Sequence, residues 1–405
     1  MAGGANPESS STPGRARPWR FTLVLLGLVL VLVIANIAAR MRPPRPNRPA
    51  RSQARVVEKA PPEAPAKLSF TGSSDKLTNT VVLPTLETTI PAGKSAIWCA
   101  TLAMAWQEME KTIYKQRIDF EDGKLGRELS DTPLPALAPA AYYVAAGYFE
   151  DGIMDRIRRG MAAKFPVATV PNIDPPPGPR ASVAFAYLEA SVLFKHQFRH
   201  NPEALSFVDS EGRRTPVHAF GIREKDKNRG VDSYRAQVEI LFRQGSTFGL
   251  DMSKQTETYQ VVVARLDRKE SLKTMLAEMH KRTIEARLKK ARNVLGDESV
   301  LLVPAMNWRV EHEFTELRDK HVLNPGFEKD FVYRALQMIQ FRLNRKGAEV
   351  KSYAHSEWMT NGHDAGPNAN FICDGPFLIY LRTRADGRPF FAMWVDNAEV
   401  LQRHD

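Results

Sequence analysis

Two cysteines and nine histidines are the side chains of this chain best suited to nucleophilic or metal chemistry, and their spacing organises neither. Cys99 and Cys373 are too few for a disulfide framework or for a zinc site of their own. Either they form one bridge in an oxidising compartment, or they sit apart as small, buried apolar groups. His196, His200, His218, His280, His312, His321, His355, His363 and His404 include no His-Glu-x-x-His pair and join no Cys-x-x-Cys. His196 and His200 would share a face only on a helix, which Pro202 opposes. Gly-x-Ser-x-Gly, Gly-x-x-x-x-Gly-Lys-Ser/Thr and Gly-x-Gly-x-x-Gly are missing too. We therefore assign no catalytic residue, no metal ligand and no cofactor, and read the chain as something other than an enzyme.

The net charge of +11 invites a nucleic-acid reading. Its distribution argues against one. Residues 1–66 carry ten Lys/Arg and three Glu, whereas the remainder is nearly balanced at 47 basic and 43 acidic side chains. Much of the excess flanks a membrane-like segment, where cations meet anionic headgroups. Glu285, Lys289 and Lys290, on a strongly charged helix pattern, read as a solvated face.

That segment is Phe21–Ala39, nineteen residues without a charge. At roughly 1.5 Å per residue a helix of this length nearly spans a bilayer core of about 30 Å. A cleaved signal peptide would have a shorter apolar stretch and a better site than Ile37-Ala38-Ala39. An uncleaved single-pass anchor is expected. Arg15, Arg17 and Arg20 precede the span, and Arg40, Arg42, Arg45, Arg48, Arg51 and Arg55 follow it. Counted literally, the arginines would keep the C-terminal part inside. We expect it outside nonetheless, because an N-terminal anchor is a common way to export a large domain.

Four regions follow. Residues 1–20 are small, polar and basic, with the composition of a disordered tail. Residues 21–39 form the span. Residues 40–66 are rich in Pro and Arg and predict an extended spacer. Residues 67–405 form one domain, in which Pro171–Pro179 reads as a loop. Its patterning is α+β. Helical spacing predicts helices over Ser95–Tyr114, Pro139–Lys164 and Glu270–Leu295. Strands are predicted at Ala181–Phe194, Tyr259–Leu266, Ser299–Met306 and Gln337–Leu343. Phe377–Arg384 and Pro389–Val395, joined across Asp386-Gly387, predict a hairpin.

That hairpin, from Cys373-Asp374-Gly375-Pro376-Phe377 to Val395, resembles the closing motif of the serpin family. Three segments in the family's order extend the resemblance over Ala181–Leu401. Ala190–Phe198 resembles its strand ending in Phe-Lys, followed by Phe207, Val217 and Phe220. Val303–Glu311, with Phe314, Leu317 and Asn324-Pro325-Gly326-Phe327, resembles a strand, short helix and turn. Phe341–Glu349 resembles the strand and hinge that lead into the reactive loop. Upstream, Asn79–Leu86 resembles the early strand-to-helix motif around Pro84, without its two serines.

The resemblance implies helices packed on large mixed and antiparallel sheets. It also implies a bait loop that inserts into a sheet after cleavage. The hinge would be Gly347, Ala348, Glu349, Val350, Lys351 and Ser352, and the exposed loop tip would include Thr360, Asn361, Gly362, His363 and Asp364. On an extended strand Glu349, Lys351 and Tyr353 share one face, and Val350 and Ser352 the other. Burying an unpaired Lys351 is costly, so insertion requires that its face stay open. Three functions follow as expectations: a membrane-anchored protease inhibitor, a non-inhibitory serpin-like module binding another protein, or an unrelated α+β domain.

Overall fold

The computed structural model describes residues 68–404, except 122, 167, 169, 171, 175–179, 190–191, 224–231 and 350–368. The expected tail, span and spacer at 1–66 lie outside the described residues. No helix among the described residues is long and apolar enough to cross a membrane.

The strands, in chain order, are β1 (Phe70–Ser73), β2 (Thr80–Leu83), β3 (Ser95–Cys99), β4 (Tyr142–Tyr148), β5 (Ala181–Leu188), β6 (Val192–Leu193), β7 (Arg199–Val208), β8 (Arg214–Ile222), β9 (Glu239–Gln244) and β10 (Thr247–Asp251). They continue with β11 (Tyr259–Arg265), β12 (Val300–Pro304), β13 (Met306–Glu313), β14 (Lys320–His321), β15 (Phe331–Asn344), β16 (Gly347–Glu349), β17 (Asn370–Ile372), β18 (Phe377–Thr383) and β19 (Pro389–Val395). The helices are α1 (Thr101–Met109), α2 (Gly123–Asp131), α3 (Ile153–Lys164), α4 (Asp232–Ala236) and α5 (Leu272–Leu288).

Three sheets result, so α+β is what the described chain adopts. The first is mixed and eight-stranded, in the order β1-β13-β15-β16-β6, with β5 also on β15, β4 outside β5, and β14 on β15. The second has seven strands in the order β2-β3-β19-β18-β11-β10-β9. The third, β17-β12-β8-β7, has four. The predicted C-terminal hairpin forms as β18 and β19 and lies at the centre of the second sheet. Gly387 makes its turn at φ 69°, a conformation that costs glycine little.

The first two sheets face each other across the main core. Phe341 of β15 stacks on Phe391 of β19 at 4.5 Å, with Trp308 of β13 beside both. A smaller core lies on the outer face of the first sheet. There Ile153, Met154, Ile157 and Met161 of α3 cover Val183, Phe185, Leu336 and Met338.

Three predictions change. Ser95–Cys99 is a strand, and the helix begins only at Thr101, running on through a π-helical turn to Tyr114. Tyr142–Tyr148, expected as helix, is β4, paired with β5 along its length. In both stretches a continuous run of small and apolar residues carries no decisive period, and long-range pairing decides. The strand-to-helix junction is therefore Cys99-Ala100-Thr101; the segment Thr80–Leu83 is a strand parallel to β3, and no helix begins near Pro84.

Candidate functional site

Asn344 ends β15, and the chain turns at once. The Asn344 side chain accepts from the Lys346 N–H at 2.8 Å, fixing the turn. The Phe194 N–H donates to the Lys346 carbonyl (2.9 Å) and the Phe198 N–H to that of Arg345 (2.8 Å). Gly347–Glu349 then returns as β16, antiparallel to β15 on one side and to β6 on the other. Leu343 faces Ala348 across one ladder, and Val192 faces it across the other. Paired residues share a sheet face, so Ala348 points with Leu343 into the main core, and it is buried.

Below this slot β16 ends and the sheet closes. β5 and β15 pair directly, as parallel strands, from Ala181↔Phe331 to Leu188↔Ile339. β16 is thus a short wedge at the top of a seam between two parallel strands. Above Ile339, where β5 no longer pairs with β15, an open edge would offer unpaired amides and carbonyls; β16 covers it at Arg342–Asn344.

Polar groups mark the seam's inner face. Gln337 of β15 is buried and donates to the Cys99 carbonyl (3.2 Å) and to Thr101 Oγ1 (3.0 Å). Its Oε1 has no partner among the described residues. Cys99 Sγ lies 3.2 Å from Thr101 Oγ1, and burial pushes its thiol up to about 11. At the lower end Asp330, fully buried, accepts from Arg180 Nε (2.8 Å) and from the Tyr148 hydroxyl. Arg180 also lies over the Tyr148 ring at 4.5 Å. This clasp ties the end of β4 to the starts of β5 and β15. Burial and the Asp330 carboxylate both push the Tyr148 phenol well above its usual range.

Of the residues expected to matter, Gly347, Ala348 and the Glu349 backbone lie in the slot. Val350, Lys351 and Ser352, and the tip residues Thr360, Asn361, Gly362, His363 and Asp364, fall outside the described residues. Cys99 and Cys373 are both buried and both free thiols, so of the two readings left open the structure has the unbridged one. Cys99 ends β3, while Cys373 joins β17 to β18 in the stretch that crosses between sheets. No group of three or more metal-ligating side chains occurs among the described residues. Sequence reasoning missed Val192 and the Arg180–Asp330–Tyr148 clasp. The clasp joins residues 150 positions apart, which leaves no local pattern.

No protein-family model matches the chain, and no curated protein matches it. The solved structures similar to it include serpins, at TM-scores below 0.5. One, a serpin of Schistosoma mansoni, is 11% identical over 75% of this chain and 95% of that one, with a TM-score of 0.44. A highly specific serpin of the insect Tenebrio molitor is 11% identical over 75% and 92%, at 0.42. Human thyroxine-binding globulin complexed with thyroxine is 11% identical over 75% and 92%, at 0.45.

Proposed function

We propose that this is a divergent serpin-like domain, held at a membrane by residues 21–39, that inhibits a protease by inserting a cleaved loop into its first sheet. The observation that carries the reading is β16: the hinge already occupies a slot between β15 and β6. The ladder that pairs Ala348 with Leu343 would, if continued, set Val350 opposite Phe341, Ser352 opposite Ile339 and Ala354 opposite Gln337. These three side chains are small or apolar, and they would follow Ala348 onto the core face. Lys351 would follow Glu349 onto the outer face, opposite Gln340. The side chain that threatened insertion therefore keeps away from the core, which supports the inhibitory reading.

One observation favours a second reading. Tyr353 would come opposite Met338, which is buried beneath α3. Insertion beyond Ser352 thus requires α3 to lift. A domain in which α3 stays down would keep the hinge wedge without the switch, and would serve as a binding module.

Limited proteolysis between residues 352 and 370, followed by thermal unfolding of the cut chain, separates the two. A rise in Tm of several degrees on cleavage supports insertion. An unchanged Tm, with cleavage complete and the fold retained, rejects it in favour of the binding module.

A further inference from the structure

The C-terminal half of α5 outruns the core. Its buried residues are Leu272, Met275 and Met279, and none of the last nine positions is fully buried. Ile284 and Leu288, one turn apart on a side away from that buried row, are 43% and 78% exposed. Single exposed apolar residues are ordinary; this pair is set among cations. Lys281, Arg287, Lys289, Lys290 and Arg292 are all exposed around it. None of these five forms an ion pair with a described residue. The neighbouring cavity of about 460 Å³, between β9 and the end of α5, adds Arg243 to Arg287, Lys290 and Arg292. Two acids stand nearby. Glu239 accepts from Asn293 at the cavity edge (3.2 Å), and Glu285 is exposed on the helix.

We propose that this end of α5 is a docking surface for an anionic phospholipid bilayer. Leu288 and Ile284 would enter the headgroup boundary, and the cations would contact lipid phosphates and carboxylates. Two features select a lipid surface over a soluble polyanion. A polyanion needs the cations alone, whereas a leucine this exposed gains only from an apolar phase. A helix with apolar residues beside Lys and Arg is the usual composition of an interfacial contact. The patch shares no residue with the hinge, so its failure would leave the loop reading untouched.

The test uses the full chain carrying Leu288→Cys, labelled with an environment-sensitive fluorophore; Cys99 and Cys373 stay in place because both are buried. The chain is reconstituted in phosphatidylcholine vesicles with and without phosphatidylserine, each doped with a lipid-borne quencher. Quenching is expected with phosphatidylserine and much less without it. At about 1 kcal/mol per surface cation, the triple variant K289E/K290E/R292E should lower the docked-to-undocked ratio roughly a hundredfold or more. A second label position, Lys281→Cys, should be quenched in parallel. Quenching in neither vesicle, or equally in both, overturns the proposal. So does stronger shielding of the label by inorganic polyphosphate without vesicles, which would assign the patch to a soluble polyanion.

Discussion

Gly347 lies directly on the backbone of Val192. A Cβ at Gly347 would collide with the Val192 carbonyl and stand 2.8 Å from Leu193 Cα, and φ there is 142°. Only glycine fits this approach and this backbone region. Gly347→Ala should therefore expel β16 from its slot and cost roughly 2–3 kcal/mol, from strain and steric clash together. Urea unfolding measures the loss, and hydrogen exchange at Ala348 and Glu349 shows whether the strand has left. A loss below about 0.5 kcal/mol, typical of a surface change, would mean that the slot is empty in solution.

If the cut loop inserts, its two faces should respond differently. Ser352→Arg would drive a charge into the core opposite Ile339 and should abolish the rise in Tm that follows cleavage. Lys351→Ala, on the outer face, should preserve it. Equal effects from the two variants would show that the register of β16 does not extend down the seam.

The clasp at the lower end should be a major stabilising feature. Asp330→Ala removes the acceptor shared by Arg180 and Tyr148. Removing one partner of a buried pair typically costs about 3–5 kcal/mol; with Arg180 partly exposed, about 3 is expected. Arg180 itself sits at φ 69°, a backbone state uncommon for a residue with a side chain. Arg180→Gly relieves that strain but leaves the fully buried Asp330 carboxylate without its cation, so it should cost at least as much as Asp330→Ala. Chemical denaturation of the two variants gives the comparison.

His312 should make stability depend on pH. Burial pushes its imidazole down to about 4, with Asp75 opposing only in part, and its Nδ1 lies 2.6 Å from Ser74 Oγ. Between about 4 and 6.5 the unfolded chain binds a proton here that the folded chain refuses. Stability should therefore be greatest above pH 6.5 and fall with acidification through that window, by at most about 3 kcal/mol. His312→Gln should flatten this part of the profile, and an unchanged slope would place the titration elsewhere.

Both thiols should be silent in the folded chain. Burial raises Cys99 and Cys373 well above the ordinary cysteine range, so neither presents a thiolate near neutral pH. A thiol reagent should find no rapidly reacting group natively and two after denaturation. One fast native thiol would contradict the packing at the end of β3 or at the entry to β18.

What could be read from the sequence follows the range of the forces involved. The hairpin Phe377–Val395 was legible because period-two alternation and an Asp-Gly turn are local signals. Gly347-Ala348 drew notice only through the resemblance, which expects a hinge there; the structure has it as the strand β16. Its partner, Val192–Leu193, was not legible, since 155 positions separate Val192 from Gly347 in the chain and nothing in either segment marks the other. β4 was misread because Ala145-Ala146-Gly147 suits close helix packing as well as a strand covered on both faces. The clasp was invisible for the same reason as the slot: Arg180 and Asp330 look like ordinary surface charges until the sheet brings them together.

The central position of the C-terminal hairpin also bears on how the chain is made. β3 pairs with β19 through Cys99↔Phe391, and β11 pairs with β18 through Val263↔Ile379. Strands from the first third of the chain and from its middle are thus joined to each other in this sheet only once β18 and β19 have been made. A nascent chain would hold β2–β3 and β9–β11 as two unjoined fragments with exposed edges, the kind of species that chaperones shield. Joining of the two halves should then be slow, as expected when the closing contacts are the most distant in sequence.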